Sequence, residues 1–250
     1  MGVRAGAAAL AFALSWPQSV DTIAIRGHWQ LLHVYGTRGG SPVIVSSGDG
    51  GWIHLGPYVA ELLAAKGFFV VGFDVKGYLE SFTSDTATLS TEDEPGDYRI
   101  LTDYAARGST ERPILIGVSE GAGLSVLAAT DPGTKGAIAG VIGLGLPNLN
   151  ELGWRWRDSV IYLTHTTPRE PMFSAAAIIA RVSPAPVAAI HSTRDEFVST
   201  AEIERVLDAA RQPKRLWIVP ASDHRFSGNL PEFQRRLFEA VAWVRANGGR

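Results

Sequence analysis

The chain has 250 residues, 46% of them hydrophobic and 19% charged, which suffices for one α/β domain with a full core. Its 23 basic and 25 acidic residues leave a formal net charge of −2 with no basic run, which argues against nucleic acid as a partner. With no cysteine there is no disulfide, thiolate metal site, cysteine nucleophile or lipidated N-terminal cysteine.

Residues 1–15 read as a signal peptide. Arg4 precedes an apolar stretch ending at Leu14, and Ala13-x-Ser15 supplies small residues for cleavage. The stretch is too short for a transmembrane helix. The expectation is an exported, periplasmic protein whose mature domain covers 16–250. A cytoplasmic chain with an Ala-rich leader is the alternative.

Segments 22–26 and 29–35 read as an antiparallel hairpin through Gly27-His28, and 42–46 as a buried strand. That strand runs into the loop Ser46-Ser47-Gly48-Asp49-Gly50-Gly51-Trp52. A helix over 58–66 stops at Gly67, and 68–73 is the next strand, ending at Asp74. Asp74-x-x-Gly77 reads as a loop with a structural aspartate. A polar loop over 81–95 leads to a helix over 96–107. The apolar run at 114–116 is a strand, followed by Gly117-Val118-Ser119-Glu120-Gly121 and an Ala-rich helix over 122–129. A strand over 137–144 opens the stretch 147–186, which lacks βαβ rhythm and holds Trp154, Trp156, Tyr162 and Phe173. That stretch reads as an insertion, either a lid with an interfacial aromatic patch or a packed core of its own. Strands at 187–191 and 215–219 and helices at 200–210 and 231–247 complete the chain. After the hairpin, strands alternate with helices, so a single domain with a mostly parallel sheet covered on both faces is expected, the insertion following the sixth strand.

Strand, G-x-S-x-G, helix is the context of a nucleophile elbow with Ser119 at its tip. In open parallel sheets, active groups gather at the carboxyl ends of strands. Asp195 and His224 each follow a strand by a few residues, and the order Ser, acid, His is that of α/β-hydrolases. His224 would take the serine proton and Asp195 would fix its tautomer, with Asp223 and Glu196 as alternative acids. Glycines in the 46–52 loop let backbone N–H groups face a developing oxyanion. Asp49 and Gly50 are therefore candidate donors together with Glu120. Trp52, His54 and Lys76 are candidate substrate-binding residues. No histidine shows zinc-ligand spacing, and no nucleotide-loop signature is present, so neither metal nor cofactor is expected.

The loop SSGDGGW, the elbow GVSEGAG and the ending ASDHRFSGN resemble the bacterial VirJ-type virulence-protein family, related to the AcvB C-terminal domain. The resemblance covers most of the chain after the leader, and S-G-D-G-G-W is its most specific part. It implies an exported α/β-hydrolase, with Ser119, Asp195 and His224 as the triad. In some members the activity is removal of an aminoacyl group from aminoacylated phosphatidylglycerol. Glu120 departs from the family pattern, where an aromatic or other uncharged residue is expected. Carboxylates at Asp49 and Glu120 would favour an acyl group bearing an amine if they face the site. Alternatively, both only bond local backbone or shift His224. The substrate is expected to be a small-molecule or lipid ester, with contact at a membrane surface. A general carboxylesterase or peptidase and a non-catalytic envelope- or secretion-associated binding protein are the competing readings.

Overall fold

The computed structural model describes residues 19–155 and 170–248. The expected leader, Trp156 and Tyr162 lie outside the described residues. Ten strands and eight α-helices are described. The hairpin is β1 (Ser19–Ile25) and β2 (His28–Tyr35), followed by β3 (Ser41–Ser46), α1 (Leu55–Ala64), β4 (Phe68–Phe73), α2 (Val75–Phe82) and α3 (Glu94–Ala106). Next come β5 (Ile114–Val118), α4 (Glu120–Ala128), α5 (Pro132–Ala137) and β6 (Gly140–Leu144). A small hairpin of β7 (Leu149–Glu151) and β8 (Met172–Ser174) leads to α6 (Ala175–Ile178) and a 3-10 turn (Ile179–Val182). The chain ends with β9 (Val187–Ser192), α7 (Thr200–Ala209), β10 (Lys214–Val219) and α8 (Leu230–Asn247).

Eight strands form one sheet in the order β1-β2-β4-β3-β5-β6-β9-β10. β1 and β2 run antiparallel and the other six strands are parallel, as expected for an α/β-hydrolase fold. The central strands β3, β5, β6 and β9 are apolar nearly throughout because helices cover both faces. Alternate residues serve opposite cores. Ile44 and Leu115 pack with Leu79, Leu101, Leu124 and Ile203 on one face. Val43, Val45 and Ile116 pack with Val59, Leu63, Phe233 and Leu237 on the other. Each such fully buried side chain contributes about 1.5–3 kcal/mol of hydrophobic stabilisation.

The strand order reverses between β3 and β5. From β3 the chain moves outward to β4 through α1, then crosses back over β3 to β5 through α2 and α3. Right-handed crossovers in opposite directions put these helices on opposite faces and open a crevice at the carboxyl ends of β3 and β5. The SSGDGGW loop and Ser119 occupy that crevice.

Three elements differ from the expectation. Asp74 does not open a loop; its Oδ1 accepts the Gly77 N–H at 3.2 Å and caps α2, whose Val75, Tyr78 and Leu79 are buried at helical spacing. The strand expected from residue 137 begins at Gly140, because Asp131 accepts the Thr134 N–H and starts α5. Within the insertion, Leu152, Trp154, Phe173, Ile179 and Val182 join the core on the α3–α4 face, so its described part is packed rather than detached.

Candidate active site

β5 delivers Ser119 into a sharp turn. Its backbone has φ 50° and ψ −118°, a strained conformation for a residue with a side chain, and α4 begins at the next residue. Tight contacts require the flanking glycines. A Cβ on Gly117 would strike the backbone of Gly121 and Ala122, and one on Gly121 would strike the carbonyl groups of Ser46 and Ser47. The Ser119 N–H donates to the Leu144 carbonyl at 2.9 Å, tying the elbow to the end of β6.

The loops after β9 and β10 bring Asp195 and His224 together. His224 Nδ1 lies 2.6 Å from Asp195 Oδ2, while Oδ1 accepts the N–H groups of Phe197 at 3.0 Å and Val198 at 2.9 Å. Burial works to raise the Asp195 pKa, but the His224 hydrogen bond and charge and the two backbone donors outweigh it and hold it below the ordinary range. Asp195 is therefore a firmly ionised partner for the imidazole. The two alternative acids are engaged elsewhere. Glu196 Oε2 accepts the backbone N–H of His224 at 2.8 Å, and Asp223 Oδ1 closes its own turn by accepting from Arg225 and Ser227. The His224 ring lies against Gly145, where φ is +60° and a Cβ would run into the imidazole. Gly145 directly follows Leu144, the residue that holds the Ser119 N–H, so one short segment borders both Ser119 and His224. The other ring nitrogen, Nε2, is buried and carries no hydrogen bond among the described residues. Such serine–imidazole bonds often tighten only with substrate present.

The loop after β3 reaches Ser119 through a residue that the sequence did not single out. A Cβ on Gly48 would lie 3.3 Å from Ser119 Cβ. The loop is closed by the Gly51 N–H bonded to the Gly48 carbonyl at 3.0 Å, a turn spanning Asp49 and Gly50. Ser47 Oγ accepts the Val75 N–H at 3.0 Å and anchors the loop to α2. The Trp52 ring stacks on His33 with centroids 4.9 Å apart, its Nε1 donates to Tyr35 Oη at 3.3 Å, and it covers Gly72, so β2 and β4 hold it in place. His54 is exposed at the N-terminus of α1, again with positive φ. Lys76 sits on the rim, its Nζ 4.2 Å from the centroid of Trp154 and 3.8 Å from Glu80.

Glu120 is buried and its carboxyl accepts the backbone N–H of Glu151, from the β7–β8 hairpin. Burial, then the nearby Glu151 and Asp49 carboxyls, raise its pKa well above the ordinary range despite that bond. The neutral acid thus predominates in the free protein near the ordinary carboxyl range. Glu94, the first residue of α3, is fully buried, and neither carboxyl oxygen has a hydrogen-bond partner among the described residues. Its pKa is raised well above the ordinary range by burial and then by Asp97. A protonated folded state against an ionised unfolded state means stability falls as pH rises above the ordinary glutamate pKa, until the folded pKa is reached. Glu94→Met is therefore expected to raise the melting temperature, by a margin that grows between about pH 5 and pH 8. Thermal melts of both proteins across that range check this, and a pH-independent margin would contradict it.

With this geometry in view, the chain can be set beside known proteins. The family described as bacterial virulence protein (VirJ) matches residues 41–215. The chain belongs to the VirJ family. For this VirJ-family chain, the match includes the SSGDGGW loop, Ser119 and Asp195 and ends before His224. The uncharacterized protein YfhR of Salmonella typhimurium is 30% identical over 179 residues, covering 65% of this chain and 58% of YfhR. The chain thus spans somewhat over half the length of the curated relatives it matches. Among solved structures, the esterase domain of a Rhodothermus marinus protein superposes with a TM-score of 0.64 at 16% identity, covering 93% of this chain and 100% of that one. Dienelactone hydrolase from Anabaena variabilis gives 0.66 at 16% identity, covering 93% and 98%. At such identities the likeness establishes the α/β-hydrolase fold.

Proposed function

We propose that this VirJ-family chain is a serine hydrolase that cleaves an ester through an acyl-enzyme. The observation that carries the reading is the 2.6 Å Asp195–His224 hydrogen bond beside a serine held at φ 50° on a strand-to-helix elbow. In this reading Ser119 Oγ attacks the acyl carbon while His224 Nε2 takes its proton. The oxyanion is met by the Glu120 N–H at the start of α4 and by N–H groups of the Asp49–Gly50 turn. His224 then protonates the departing alcohol, and water repeats the sequence in reverse to free the acid. The Asp195 carboxylate holds the imidazole tautomer and stabilises the imidazolium.

For the acyl group, we propose an aminoacyl ester, such as an aminoacylated phospholipid. The support is the trio of Asp49, Glu120 and Glu151 next to the nucleophile, whose mutual repulsion helps keep Glu120 neutral in the free protein. An incoming ammonium group would favour its ionised form. A lipid ester also suits the surroundings of the site, because Phe197 against the His224 ring, Ile53 after the SSGDGGW loop, and Leu149 and Met172 on the β7–β8 hairpin are exposed apolar side chains. We extend the proposal to contact with a membrane surface and to a periplasmic location.

The reaction is tested by covalent labelling of Ser119 with a fluorophosphonate, expected for the native chain and absent in Ser119→Ala and His224→Ala. The acyl preference is tested with alanyl, lysyl and size-matched neutral esters of one alcohol. Aminoacyl esters are expected to be cleaved at least about tenfold faster, with the ratio narrowed in Glu120→Gln. Faster cleavage of the neutral esters would instead identify a general carboxylesterase.

A further inference from the structure

A second histidine, His191, stands on β9 four residues before Asp195. It is fully buried, and neither ring nitrogen has a hydrogen-bond partner among the described residues. Its Nδ1 lies 3.8 Å from Asp195 Oδ2, the oxygen that already receives the 2.6 Å bond from His224. A buried imidazole with both nitrogens unpartnered is unfavourable, and an apolar side chain would fill a strand end without that penalty. The charged and titratable groups that face it are Asp195, His224 beyond β10, and Glu202 and Glu204 on α7. Burial outweighs the carboxylates and holds its pKa below the ordinary histidine range, so the ring is neutral and has one N–H to give.

We infer that His191 is a positioning residue for the acid of the triad: on substrate binding its Nδ1–H closes on Asp195 Oδ2 and becomes that oxygen's second side-chain donor. The inference rests on the triad reading above. Asp195 Oδ1 is already held by the Phe197 and Val198 N–H groups, so a donor at Oδ2 clamps the carboxylate at both ends. It prevents the rotation that would carry Oδ2 away from His224. The same donor draws charge from the carboxylate and limits how strongly the imidazolium is favoured. Without it, the carboxylate is less firmly held and His224 is less well aligned.

The test compares the native chain with His191→Leu and His191→Asn, measuring kcat and KM against pH with the p-nitrophenyl ester it cleaves fastest. The low-field proton resonance of the His224–Asp195 bond is recorded alongside. In His191→Leu, kcat is expected to fall about 10- to 100-fold with KM little changed, because a small misalignment is costly. The acid limb of kcat/KM should move to higher pH and the resonance should shift or broaden. His191→Asn, which keeps a donor, should restore most of each. A folded leucine variant with native kcat, acid limb and resonance overturns the inference. Should the leucine variant fail to fold, His191→Phe, which keeps a ring without a donor, takes its place: native kcat, acid limb and resonance overturn the inference, and losses like those expected for leucine support it. Full activity in Ser119→Ala would instead sink the triad reading itself, a result that no His191 variant can mimic.

Discussion

Ser119→Ala is expected to lower kcat for ester hydrolysis by about 10⁶-fold, to the level set by the oxyanion donors and substrate binding alone. In the proposed mechanism His224, held by Asp195 at 2.6 Å, accepts a proton rather than attacking carbon, so it does not replace the lost hydroxyl. Asp195→Asn is expected to cost about 10⁴-fold, since an amide no longer fixes the imidazole tautomer. Glu196→Gln should be far milder. Glu196 acts on the His224 backbone N–H at 2.8 Å, and the glutamine carbonyl still accepts there. Single-turnover and steady-state rates of the three variants check the order. Loss through Glu196→Gln equal to that through Asp195→Asn would reassign the acid.

The second large effect concerns the fold. Gly121→Val is expected to destabilise the chain by more than about 4 kcal/mol, enough to leave much of it unfolded. The colliding atoms are the Ser46 and Ser47 carbonyls at the end of β3, so relief would need movement of backbone in the centre of the sheet. Gly96→Ala in α3 is the matched control. Nothing lies within 4 Å of a Cβ there, and helix propensity alone should add about 0.5–1 kcal/mol of stability. Urea unfolding of both variants measures the contrast. A Gly121→Val protein as stable as the native chain would mean that α4 and β3 do not meet as described.

The two effects share an origin: the glycines that admit Ser119 to the crevice also let α4 pack onto β3. This explains why the elbow is legible from a short motif. Such contacts allow only glycine at Gly117 and Gly121, so the constraint is written into residue type. The parallel sheet is legible for a similar reason, because strands covered on both faces must be apolar throughout. Asp195 and His224 could be located because each follows a strand, and strand ends converge in this topology.

Other features depend on what folds next to what. The Trp52 ring is packed by His33, Tyr35 and Gly72 from two strands, neighbours that the loop's own sequence does not name. The α2 cap at Asp74 was misread as a loop because a single polar residue before an apolar one suits both. Gly48, Gly145 and Glu196 border the site through contacts with residues distant in the chain, and periodicity carries no trace of such contacts. For Glu120, its residue type suggested charge, but burial and two neighbouring carboxyls favour the neutral acid. The sequence by itself determined the mostly parallel sheet and the positions of Ser119, Asp195 and His224 after strands, because local sterics and burial dictate residue type there. Only the tertiary structure decided which acid meets His224, where Trp52 packs and which carboxyls hold protons. Those outcomes depend on distances and desolvation between segments that the chain brings together only when folded.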